Sequence, residues 1–189
     1  MTIFKGRRED SRLLTGQGRY AADWNLPGQL CGHFLRSDRA HAEISSLDLK
    51  AASASPGVVA IFTGKDTAHF KEAPPLVKYP GRGGMKMHDP HRQVLALGRV
   101  RHVGQEIALV VADSPAHAQD AAEKIELEYR DLPVLVEVED ALAAGAPLLY
   151  EGIAGNLAFD FEYGNEAVVA EAFARARSEE RRVGKECRL

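Results

Sequence analysis

The feature that most constrains the fold is a change of hydrophobic period within residues 106–129. Residues 107–112, Ile-Ala-Leu-Val-Val-Ala, are apolar without interruption, which suits a strand covered on both faces. Asp113 or Ser114 then stands where a helix cap is expected, and Pro115 falls in the first turn, where a missing N–H costs nothing. Ala118, Ala121, Ala122 and Ile125 recur at i, i+3, i+4 and i+7, opposite Gln119, Asp120, Glu123 and Lys124, so the pattern predicts an amphipathic helix. From Ile125 the period falls to two. Leu127 and Tyr129 alternate with Glu126 and Glu128, which predicts a strand whose carboxylates share a solvated face.

Shorter signals surround this strand, helix, strand series. Residues 30–35 and 42–49 read as strands, the first following the turn pair Pro27-Gly28. Residues 49–55 are Ala-rich and read as a short helix stopped by Pro56-Gly57, and residues 58–62 as a buried-type strand. Residues 63–92, with Pro74, Pro75, Pro80, Gly81, Gly83, Gly84 and Pro90, are expected to be one long surface loop, either a lid or a tolerated excursion. Residues 100–112 read as one strand region, residues 134–138 as a strand or extended segment after Pro133, and residues 139–144 as a short helix ended by Gly145. Beyond a connector, residues 157–163 read as an aromatic strand. Gly164 turns the chain and Asn165 caps a helix whose Val169, Ala172, Phe173 and Ala176 again fall at i, i+3, i+4 and i+7. That pair reads as the opening of a second domain.

With 189 residues the chain holds one ordinary domain, or one and part of another. A net charge of −3 leaves no basic footprint for nucleic acid. The longest apolar run, six residues, is far below the roughly 20 that span a bilayer. Residues 1–10 lack the apolar stretch of a secretory signal, and two cysteines, Cys31 and Cys187, make no disulfide framework. A reducing, cytoplasmic setting is expected. Residues 175–189 crowd six basic and three acidic side chains together. Such a run suits a solvated helix face or tail. The favoured reading is different: residues 178–188 resemble a foreign read-through sequence found at the ends of truncated reading frames, so the tail would belong to no fold and the chain would begin a longer protein.

Few motifs promise chemistry. Gly16-Gln17-Gly18 superficially matches a dinucleotide fingerprint, but no apolar strand precedes it. Gly81 to Gly84 with Arg82 and Lys86 could cradle an anion, yet a flexible solvated loop accounts for the same residues. His88 and His91 stand three apart across Pro90, a poor frame for a metal. His33, His41, His69, His102 and His117 show no helical pairing and are expected at the surface or in local hydrogen bonds. No nucleophile elbow and no base-paired Ser or Cys is evident. The residues alone therefore predict no catalytic, cofactor-binding or metal-binding set.

The wording of the chain carries more. Residues 7–20 (Arg-Arg-Glu-Asp-Ser-Arg-Leu-Leu-Thr-Gly-Gln-Gly-Arg-Tyr), Asp23, Leu26-Pro27-Gly28, Phe34-Leu35-Arg36-Ser37 and Ala40-His41-Ala42 resemble the start of the molybdopterin-binding large subunit of the xanthine dehydrogenase and aldehyde oxidase family. Pro56-Gly57-Val58-Val59-Ala60, Val103-Gly104-Gln105-Glu106 and Glu128-Tyr129-Arg130-Asp131-Leu132-Pro133 are similar to that family's α/β-hammerhead domain in order and spacing. Gly155-Asn156 resembles the approach to its first molybdopterin-binding domain. Ile107 departs from the pattern, since many relatives carry proline there; isoleucine suits a strand better.

The resemblance implies an α+β fold: an arm at residues 1–18, a hammerhead at 19–135, a connector at 136–155, the start of a molybdopterin-binding domain at 156–176 and a non-native tail at 177–189. It also implies a parent oxidoreductase, most similar to carbon monoxide dehydrogenase-like members, acting on aldehydes, N-heterocycles or carbon monoxide. Its cofactor would be molybdopterin cytosine dinucleotide with molybdenum, and its partners an iron–sulfur subunit and an FAD-binding subunit. The family's catalytic glutamate and cofactor cradle lie downstream of residue 189, so this chain is expected to supply none of them. The alternative is a free-standing, non-catalytic interaction module.

Overall fold

A computed structural model describes residues 6–70, 81–90 and 92–176. In chain order its elements are α1 (Asp10–Leu14), β1 (Cys31–Arg36), β2 (Ala42–Asp48), α2 (Lys50–Ser53), β3 (Val58–Thr63), α3 (Gly64–Thr67), β4 (Arg99–Val100), β5 (Glu106–Ala112), α4 (Pro115–Ala122), β6 (Glu126–Asp131), α5 (Val138–Leu142) and α6 (Glu166–Arg175). The fold is a mixture of helix and strand, as the hammerhead resemblance implies. The chain divides into two compact units, Met1–Glu72 with Arg92–Val134, and Ala73–His91 with Leu135–Leu189.

The uninterrupted apolar run becomes β5, the central strand of the antiparallel sheet β1-β5-β3. A central strand needs cover on both faces, and β5 has it for much of its length. Ala108 and Val110 face a core with Ala52, Ala121, Ala122 and Ile125, while Ile107 turns the other way to join Ala42, Ala96 and Val100. Leu47 packs against both clusters. α4 lies on the sheet through Ala118, Ala121 and Ala122, side chains small enough to let helix and sheet backbones approach closely. Its cap is Ser114, whose Oγ accepts from His117 N at 3.2 Å.

β6 leaves this sheet. It pairs with β2 in a second antiparallel sheet, β4-β2-β6, so the strand, helix, strand series passes from one sheet to the other. Period alone carries no information on which sheet a strand joins. Glu126 and Glu128 sit exposed on β6 while Leu127 and Tyr129 contribute to the second core, as the alternation predicts.

Several expectations need correction. Residues 100–112 are not one strand region: the chain turns between β4 and β5, where Gly104 adopts a φ of +83° that a side chain would strain. The segment 63–92 is not loop throughout. Thr63 N and Oγ both donate to Asp66, capping α3, and Arg82–Gly84 forms a short 3-10 turn beside a bridge from Gly81 to Phe161. Residues 71–80 and His91 lie outside the described residues, as does the proposed tail 177–189 with Cys187. Of the two alternatives for residues 134–138 the extended one holds up to α5, which starts at Val138: among the described residues they join no ladder, and Val134 and Val136 are exposed. The helix placed at 139–144 accordingly runs Val138–Leu142. Among the described residues the aromatic segment 157–163 forms no ladder: it has the bridge at Phe161, and Asp160 O and Ala158 O accept from Arg82 N and His88 N, both at 2.8 Å.

α6 forms where expected, with Asn165 Oδ1 accepting from Val168 N at 3.1 Å, but it buries no residue and leaves Phe173 64% exposed. Before it, Asn156 closes the connector. Its amide donates to Ala141 O and Pro147 O at 3.0 and 2.9 Å, and its Oδ1 accepts from Leu149 N at 2.8 Å. It is the one non-glycine residue with positive φ among those described.

Because Ile107 is fully buried where the two sheets share a core, Ile107→Ala should destabilise the chain by about 2–5 kcal/mol. Urea unfolding should show a lower midpoint at unchanged slope.

Candidate functional site

The motifs singled out in the sequence fold into structural devices. Gly16-Gln17-Gly18 is a helix terminator: Gly16 N donates to Leu13 O at 3.2 Å and Gln17 N to Arg12 O at 2.7 Å, the paired bonds of a Schellman motif, with Gly16 at φ +70°. Of the two cations named with Gly81 to Gly84, Arg82 is engaged, its Nε 3.3 Å from Asp160 and 3.2 Å from Glu162, while Lys86 is exposed. His88 uses its backbone, donating to Ala158 O at 2.8 Å. His117 Nδ1 meets Asp113 Oδ1 at 2.5 Å across one helical turn, and that hydrogen bond holds the Asp113 carboxyl below its ordinary range. Among the described residues no three His, Cys, Asp or Glu side chains are grouped to hold a metal.

His41 is the exception among the histidines to the expected surface setting. It is 7% exposed, with Nδ1 2.8 Å from Pro133 O and Nε2 without a partner. Tyr129 Oη is also buried without a well-formed hydrogen bond. Burial pushes its phenol pKa up, opposed weakly by the nearby Ser37 hydroxyl, which is already committed to Arg39 O at 2.8 Å.

The strongest polar constellation was hidden in the sequence. Glu43 on β2 stands directly opposite Arg99 of β4 and Arg130 of β6. Its carboxylate accepts from Arg99 Nη2 at 3.2 Å on one oxygen and from Arg130 Nη2 on the other. The Arg130 hydrogen bond first, then the Arg99 bond and both positive charges, hold Glu43 below the usual carboxylate range. A carboxylate pinned this way has no proton to give near neutral pH, and the row ties three strands together. A cavity of about 300 Å³ opens beside it, lined in part by Ile44, Leu47, Thr63, Lys65, Ala96 and Leu97. It contains no carboxylate, imidazole or thiol.

Two three-stranded antiparallel sheets joined by a strand–helix–strand unit find a counterpart among known proteins. Residues 15–133 match the family model of the a/b hammerhead domain of aldehyde oxidase and xanthine dehydrogenase. The chain belongs to this family. It is 42% identical over 147 residues to the carbon monoxide dehydrogenase large chain of Afipia carboxidovorans, covering 78% of this chain and 17% of that protein. It is 40% identical over 144 residues to the 6-hydroxypseudooxynicotine dehydrogenase complex subunit gamma of Paenarthrobacter nicotinovorans, covering 75% and 18%. Among solved structures, reconstituted CO dehydrogenase from Oligotropha carboxidovorans aligns with a TM-score of 0.73 at 35% identity over 94% of this chain and 22% of that one. Quinoline 2-oxidoreductase from Pseudomonas putida 86 aligns with a TM-score of 0.65 at 42% identity over 74% and 18%. The chain spans about a fifth of the length of these hammerhead-bearing relatives.

Glu43 provides a pH test of the hammerhead scaffold. Because its folded pKa lies below the ordinary value of 4.5, the stability it contributes is present above that value and is lost as pH falls through the lowered one. Glu43→Gln should therefore be less stable than the parent sequence at pH 7, with the gap closing below about pH 4. Urea titrations of both proteins across that range measure it.

Proposed function

We propose that this chain is the leading portion of a molybdenum hydroxylase large subunit, in which the hammerhead serves as scaffold and the reactive groups come from polypeptide beyond it. Coverage carries this reading. The chain matches the Afipia carbon monoxide dehydrogenase large chain over most of its own length but only 17% of that protein's. The limits are arm 1–18, hammerhead 19–135, connector 136–155 and the start of a molybdopterin-binding domain at 156–176. The parent oxidises an aldehyde, an N-heterocycle or carbon monoxide, works in the cytoplasm, and passes electrons to iron–sulfur and FAD-binding subunits. No helix among the described residues is long and apolar enough to cross a membrane, in keeping with that setting.

Molybdopterin cytosine dinucleotide would supply the redox chemistry of the parent. The described residues bring no three His, Cys, Asp or Glu side chains together, and Glu43, Arg99 and Arg130 are spent on one another, so this reading leaves the cofactor cradle to polypeptide beyond the chain. What the chain contributes is packing and placement.

The reading frame past codon 176 tests the proposal. Continuation into glycine-rich cofactor-binding segments supports it, and an immediate stop favours a free-standing interaction module. The 189-residue chain expressed alone should reduce no dye with aldehydes or purines; turnover would contradict the reading. Residues 157–176, whose Phe159, Phe161 and Phe173 stand exposed, should exchange their amides quickly in the isolated chain. Uniformly slow exchange there would show that the segment already has the cover the proposal assigns to downstream polypeptide.

A further inference from the structure

Residues 37–41 link the two sheets, since β1 belongs to one and β2 to the other. They bond outward at three places. Ser37, 3% exposed, donates its N–H to Gln105 O at 2.9 Å and accepts from Gly104 N at 2.8 Å, which ties the link to the turn between β4 and β5. Arg39 reaches β6: its Nε lies 3.6 Å from Asp131 Oδ1 and its guanidinium 5.9 Å from the Tyr129 ring. His41 takes the residues that follow β6, its carbonyl accepting from Leu132 N at 3.0 Å and its Nδ1 lying 2.8 Å from Pro133 O. Val134 is the last residue of this compact unit, so His41 holds the chain at the point where it leaves.

The chemistry of that hold is specific. Pro133 has no N–H, so the backbone pairing with β2 ends at Leu132 and a side chain supplies the next bond. A carbonyl oxygen only accepts, so Nδ1 is the protonated ring nitrogen and Nε2 carries the lone pair. Nε2 is buried without a partner among the described residues, an orphan that an apolar ring of the same shape would spare the fold. What imidazole adds here, and such a ring lacks, is the Nδ1–H.

We propose that His41 is a positioning residue: as the Nδ1–H tautomer it clasps Pro133 and sets the direction in which the chain leaves the hammerhead. The donor does this, not the bulk of the ring. That the departing chain carries the reactive groups of a larger enzyme rests on the function proposed above, whereas the clasp rests on the hydrogen bonds of His41 with Leu132 and Pro133.

Nitrogen NMR of the His41 ring in the 189-residue chain should show a protonated Nδ1 and a bare Nε2, and the opposite tautomer overturns the proposal. This is read on the unaltered sequence, so it decides even where a variant misfolds. Three substitutions then separate donor from bulk. Asparagine carries an amide N–H at the position of Nδ1 and glutamine one at the position of Nε2, while alanine carries neither. Relative to the amides of β5, His41→Gln and His41→Ala should speed exchange at the Leu132 amide by about tenfold or more, and His41→Asn should stay within about threefold of the unaltered chain. Equal acceleration in all three makes the ring a filler and overturns the clasp, and so does acceleration in none. In the full-length large subunit assembled with its partner subunits, dye reduction should fall in His41→Gln and return in His41→Asn; turnover indifferent to both overturns the positioning role. A full-length protein with no oxidoreductase activity sinks the proposed function instead, and the exchange ordering, measured on this chain alone, still decides the clasp.

Discussion

Burial of β5 on both of its faces is the constraint from which the rest of the hammerhead follows. Val110 fills one core and Ile107 the other, each with no exposed surface, and burying such side chains stabilises by about 1.5–3 kcal/mol apiece. A strand with two apolar faces must be central, so β1 and β3 pair along its edges. Something must cover each face. α4 takes one side, and the 95–100 segment with β2 closes the Ile107 end of the other. Leu47, touching both clusters, makes the two sheets a single packing problem.

Small side chains set the distances within that arrangement. Ala52, Ala108, Ala118, Ala121 and Ala122 are all essentially buried, so α2, α4 and the sheet meet backbone close to backbone. Gly57 obeys the same economy of space. Its φ of +73° favours glycine, and a Cβ there would fall 2.3 Å from His117 Nδ1 and 2.4 Å from Asp113 Oδ1, the pair that braces the start of α4. The Pro56-Gly57 stop signal therefore serves two ends: it terminates α2 and leaves room for the histidine.

What could be read in the sequence was whatever depends on near neighbours. The period change at Ile125 and the caps at Ser114 and Asn165 arise from contacts within a few residues, the strand-forming composition of β1, β2 and β3 is local even though their partners are distant, and the structure places all of them within one or two positions of expectation. The Arg99–Glu43–Arg130 row could not be read. Its members are separated by 56 and 87 positions, and they meet only because of a register that no local pattern encodes. The same limit explains the errors. Residues 134–138 and 157–163 have the side chains of strands, but a strand exists only where a partner edge does, and neither finds a ladder. Gly16-Gln17-Gly18 shows the reverse case, a phrase suggestive of a nucleotide site whose glycines are wanted for helix termination.

α6 separates local from tertiary causes most clearly. It has a capping Asn165, a glutamate in its first turn, an arginine in its last and an apolar stripe, yet no residue in it is buried. Ten residues with a good cap form a helix only marginally in water. On the proposed function, cover over Val169 and Phe173 would add about 1.5–3 kcal/mol for each side chain removed from solvent. β5 carries the same kind of apolar signal and is satisfied inside the hammerhead. The difference lies in the surrounding chain, not in the helix. A sequence can therefore specify an element completely while leaving the reason for that element to polypeptide packed on it from elsewhere.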